Sequence, residues 1–70
     1  MSGTFKLVTL VGTSPDSYER AIDGAIRDAA ASLRNLCWFE VVELRGRIAE
    51  GRVAEYQVKL QAGFKVETGP

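Results

Sequence analysis

Residues 53 to 66 alternate almost without fault between two kinds of side chain. Val53, Glu55, Gln57, Lys59, Gln61, Gly63 and Lys65 fall on one parity, and Ala54, Tyr56, Val58, Leu60, Ala62, Phe64 and Val66 on the other. A period of two marks a strand with one face in a core and one face outside it. At about 3.3 Å per residue such a strand reaches about 50 Å, far longer than is usual in a small domain. The whole chain has only 70 residues with which to cover it.

That mismatch sets the first expectation. Chains of this size persist through disulfides, a structural metal or oligomerisation, because burial alone leaves little margin. One Cys cannot close an intrachain disulfide, and one Cys with no His does not make a closed zinc site. Elimination leaves assembly. A hydrophobic fraction of 46% with 9 acidic and 9 basic residues suits a globular chain. Zero net charge supplies no basic stripe for nucleic acid. Residues 1 to 11 hold one Lys and alternate in polarity, unlike a signal peptide. No run approaches the roughly 18 apolar residues of a membrane span. An unpaired Cys without a secretion signal points to the cytoplasm. Residues 1–70 read as one domain without linker or repeat, frayed at Met1–Gly3 and Thr68–Pro70.

The remaining elements follow from local signals. "TFKLVTLVG", Thr4 to Gly12, reads as a strand that stops at its glycine. In "TSPDS", Ser14 is suited to cap a helix, Pro15 to its first position and Asp16 to its positive end. Tyr18, Ile22, Ala25, Ile26, Ala29, Leu33 and Leu36 recur at spacings of three and four, predicting a helix to about Arg34. Asp16/Arg20 and Asp23/Arg27 lie at i,i+4 on its outer face. Cys37 to about Ile48 is a second strand, and "AEG" (49–51) is a hairpin turn in which Gly51 is free to take positive φ. A helix between the first two strands lets them run in one direction, and the hairpin returns the third between them. The expected fold is therefore α+β, in the order β-α-β-β. It has a three-stranded antiparallel sheet of order 1-3-2 packed on one helix. One helix cannot cover so long a sheet, and the bare face calls for a partner surface.

Trp38 is the only tryptophan. By simple alternation Trp38, Glu40, Val42 and Leu44 share one face of strand two, and Cys37, Phe39, Val41, Glu43 and Arg45 the other. Phe39 and Val41 look like the helix-facing pair, which turns Trp38 outward, yet a slip of one residue reverses every side chain. The polarity of the strand changes after Val42, as at a bend or bulge. A core role and an outward role for Trp38 both stand on the residues alone. Cys37 has no His to act as its base and reads as a small strand residue. "GTSP" reads as an ordinary cap before an anion site. Arg45 and Arg47 can reach a phosphate or simply be solvated, and Glu40 can pair with a neighbouring subunit's Arg or stay exposed. Paired catalytic carboxylates, nucleophile–base sets and dinucleotide fingerprints are absent from the sequence.

"VGTSPDSYERAIDGAI", "LRNLCWFEV", "RGRI" and "YQVKLQAGFKVE" together resemble the dodecins, in register from about Lys6 to Glu67. The resemblance implies a hollow shell of twelve subunits, with flavins held in pairs between them. It implies that Trp38 stacks on an isoalloxazine ring and that Gln57 hydrogen-bonds the ring's polar edge. Indole is a broad apolar plane, and an amide offers both donor and acceptor. It places Glu43 near the ribityl chain and Arg45 and Lys65 near the flavin side chain. Arginine is the more usual residue at the position of Lys65, and lysine brings a point charge in place of a planar fork. Cys37 also departs from the usual pattern. The flavin is FMN foremost, with FAD and riboflavin open, and coenzyme A is a further possible occupant. The implied function is non-enzymatic storage of flavin with quenching of its photochemistry by electron transfer from the indole. The rival readings are a flavin-dependent reductase, which needs an open ring face, and an interaction module that adds a partner strand to a sheet edge.

Overall fold

The computed structural model describes residues 3–67, so most of the ends expected to fray, 1–2 and 68–70, lie outside the described residues. Its elements are β1 (Phe5–Ser14), α1 (Tyr18–Ala30), β2 (Leu36–Ala49) and β3 (Arg52–Lys65). They form an antiparallel sheet of order β1-β3-β2 with the helix on one face, as the alternation and the connections require. The β2–β3 hairpin closes through Glu50 and Gly51 between the paired Ala49 and Arg52. Both turn residues have positive φ, 53° and 73°, a geometry that matches the twist of the flanking strands.

The N-cap lies three residues later than expected. Gly12 does not end β1, which continues until Ser14 pairs with Tyr56. Ser14 Oγ accepts from the N–H groups of Asp16 (3.0 Å) and Ser17 (3.4 Å), forming a turn rather than a cap. The N-cap is Ser17, in extended conformation, whose Oγ accepts from the Arg20 N–H at 3.0 Å. Asp16 therefore precedes the helix, and of the two expected pairs only Asp23–Arg27 forms, at 3.0 Å between exposed side chains. The C-terminal end also comes early. Asn35 takes a φ of 65°, which a continuing helix does not allow, and Leu36 starts β2 instead of extending the helical stripe.

Val58 and Leu60 of β3 and Ala21 of α1 are fully buried. Leu10, Tyr18, Ile22, Ala25 and Ile26 pack around them. Ala21, absent from the expected stripe, sits at the closest approach of helix to sheet, over Gly12. Beyond this small core little is covered. Every residue of β2 after Leu36 is exposed, because α1 lies over β1 and β3. The subunit measures 56 × 20 × 13 Å, and its radius of gyration is 14.6 Å where a compact chain of this length has about 11 Å. Among the described residues, ten large hydrophobic side chains remain between 43% and 75% exposed. Phe5, Leu7, Val11 and Trp38 lie on the bare face, and Phe39, Val41 and Leu44 lie on the helix side beyond the helix. Apolar surface on both sides of so thin a body is what subunit contacts cover.

Candidate ligand-binding face

Trp38 points away from the helix. It pairs with Gly63, which belongs to the outer parity of β3, and it is 44% exposed. Of the two roles open to it, the fold selects the outward one. Phe39, paired with Ala62, takes the helix side as expected.

Strict alternation fails at Val42. Val41 pairs with Leu60 and Glu43 with Lys59, so Val42 is an extra residue in β2. This bulge reverses the parity of everything after it. Glu43 and Arg45, which alternation set opposite Trp38, join Trp38 on the bare face, and Leu44 moves to the helix side opposite Val58. The bulge thereby brings Trp38, Glu43, Arg45, Gln57 and Lys65 onto one surface.

On that surface they form two groups. Arg45 Nε donates to Gln57 Oε1 at 2.9 Å, and Arg45 Nη1 donates to Glu43 Oε1 at 3.3 Å. Gln57 Nε2 donates to Glu55 Oε1 at 2.8 Å, with Arg47 Nε 4.0 Å from the same carboxylate oxygen. The Gln57 amide keeps one N–H and one lone pair free, a donor beside an acceptor. The other group holds Trp38 and Lys65 with Phe5, which pairs with Lys65 and meets the indole edge-on at 5.1 Å and 62°. Gln57 and Gly63 are six residues apart on β3, so the strand positions that carry the amide and the indole lie about 20 Å apart. A fused three-ring system is much shorter than that. One subunit cannot both stack such a ring on Trp38 and hydrogen-bond its edge through Gln57.

Alternation alone does not mark Glu55 as a partner of Gln57, nor Phe5 and Gly63 as neighbours of Trp38. Gly63 left a signal: it is the only glycine in the polar register of β3. Cys37 is the odd residue between the paired Leu36 and Trp38, with its Sγ 3.1 Å from the Asn35 carbonyl oxygen. Glu40 stands opposite Gln61 on the bare face. Among the described residues no group of three or more His, Cys, Asp or Glu is placed to hold a metal ion, and no helix is long and apolar enough to cross a membrane.

Comparison with known proteins gives one consistent answer. The family model for dodecin matches residues 4–67. A dodecin of Thermus thermophilus is 51% identical over 67 residues, covering 96% of this chain and 97% of the relative. The solved dodecin of Streptomyces davaonensis superposes with a TM-score of 0.92 at 40% identity, covering 97% of this chain and 100% of the other. The calcium dodecin of Mycobacterium tuberculosis is 29% identical over 62 residues, 89% of this chain and 87% of its own.

Proposed function

The chain belongs to the dodecin family, and on that premise we propose that it is a non-enzymatic flavin-binding shell that stores flavin in the cytoplasm and quenches its photochemistry. The carrying observation is the Trp38 indole, held out of the core on a sheet face that the helix leaves bare among the described residues. A large aromatic left half exposed in so small a domain is a platform for something flat. FMN is the first candidate, with FAD and riboflavin behind it. Twelve copies close the shell, and the flavin sits between copies because the indole and the Gln57 amide of one chain are too far apart to serve one ring. Excited flavin takes an electron from the indole and returns it, so no product forms. A ring covered on both faces leaves no room for a reductase substrate.

Titrating the purified protein with FMN while following flavin emission, with sedimentation of the same sample, tests this directly. The expected result is one large species at micromolar concentration whose flavin is dark and released on unfolding. A monomer with a cooperative melt, or emission unchanged by the protein, contradicts it.

Charge near the flavin side chain makes a second prediction. Arg45 and Lys65 lie on the ligand face and are exposed in the single subunit. If either reads the phosphate, its alanine variant weakens FMN by about 1.5 kcal/mol more than riboflavin, the low end for a hydrogen bond to a charged group. Lys65 is expected to show the smaller difference, since its single ammonium replaces a planar fork. Equal losses for the two ligands in both variants rule out phosphate reading.

A further inference from the structure

Trp38 reaches its position because of two residues outside the expected set of flavin contacts. Neighbouring strands lie about 4.8 Å apart, so β1 and β2 are separated by nearly twice that across β3. The indole starts on β2, crosses β3 over Gly63, and meets Phe5 on β1. Only a residue without a side chain permits that crossing. A Cβ at position 63 would stand 2.5 Å from Trp38 Cε2 and Cζ2 and 2.7 Å from Cη2. Three consecutive ring atoms at nearly equal distance place that point over the face of the six-membered ring, since an approach in the ring plane would bring one atom much closer. One indole face therefore rests on backbone, the ring makes an edge-type contact with Phe5, and the residue stays 44% exposed.

We propose that Gly63 and Phe5 are positioning residues that set the height and tilt of the indole platform. Gly63 is the floor and Phe5 the stop. The role of this platform towards flavin rests on the function proposed above, whereas the seating of the ring does not. An alanine at 63 forces the ring outward by about 1 Å to recover ordinary carbon–carbon contact near 3.5–4.0 Å. Loss of the Phe5 edge removes the aromatic contact that fixes the tilt.

The test uses the assembled protein and its single tryptophan as reporter. In Gly63→Ala, without flavin, the indole emission should move to the red as the ring leaves the sheet. FMN affinity should fall about tenfold with incomplete quenching, within the range for losing a stacking surface. Phe5→Leu keeps apolar volume, and should lower the anisotropy of indole emission and weaken FMN about threefold, a smaller loss because the floor remains. A Gly63→Ala shell with wild-type indole emission and wild-type FMN affinity overturns the proposal. Should that variant fail to assemble, Phe5→Leu decides, and unchanged anisotropy and affinity there overturn it. A wild-type protein that leaves flavin bright refutes the flavin function, and the indole emission of the two variants still decides the positioning roles.

Discussion

Gly12→Ala is expected to lower the melting temperature of the assembly by at least about 12 °C, or to prevent its formation. Gly12 lies inside β1, opposite Val58, at the point where α1 crosses closest to the sheet. A Cβ there would stand 2.2 Å from the Ala21 carbonyl oxygen and 2.9 Å from Ala25 Cβ. The first obstacle is helix backbone, which cannot swing aside as a side chain does. The helix must retreat as a body, and its retreat opens the contact among Ala21, Val58 and Leu60, the fully buried cluster among the described residues. Overpacking costs about 1–3 kcal/mol where side chains can adjust, and the upper end or more applies against backbone. In a domain of 60–100 residues each 1 kcal/mol shifts the melting temperature by roughly 4–8 °C. Gly24 supplies the control. It lies inside α1 with nothing within 4 Å of an added Cβ, so Gly24→Ala should stabilise by about 0.8–1 kcal/mol through helix propensity alone. Thermal unfolding at a fixed subunit concentration, required because assembly shifts the midpoint, compares the two. Equal midpoints for both variants would show that the helix does not sit as closely as described.

Trp38→Ala should leave folding and assembly intact while flavin affinity falls by roughly 1–3 kcal/mol, the usual worth of stacking on an aromatic side chain. The indole is 44% exposed and rests on the bare face, so its removal opens no cavity in the Val58–Leu60 core. A core tryptophan would instead cost about 3–5 kcal/mol, enough to unfold a chain this small. Flavin that still binds should regain fluorescence, because the nearest electron donor is gone. Emission titration and sedimentation on one sample separate the outcomes. An assembled mutant that binds and quenches like the wild type removes Trp38 from the site, and an unfolded one returns it to the core.

Much of this protein was legible in its residues. The parity of residues 53–66 specifies the central strand and its buried face, because a strand has only two faces and burial assigns one of them. The element order then leaves few ways to connect two strands, a helix and a hairpin, and the sheet order 1-3-2 follows. Helix boundaries were less legible. Ser14 and Pro15 carry the start signals, yet Ser14 pairs with Tyr56 in the sheet and the cap passes to Ser17. Val42 marks the limit more sharply. Its presence as an extra residue in β2 is a matter of pairing register, which depends on a strand distant in sequence. The change of polarity after Val42 signals a bend or bulge without fixing the pairing, so simple alternation put Glu43 and Arg45 on the wrong face. The resemblance named Trp38, Gln57, Glu43, Arg45 and Lys65 without showing how they meet. Tertiary structure alone decided that the bulge gathers them on one face. It also split them into two groups, with Gln57 and Gly63 about 20 Å apart on β3, and laid the indole across Gly63 towards Phe5. Composition and periodicity are local quantities and determine elements; register and strand spacing are non-local and determine which side chains share a surface.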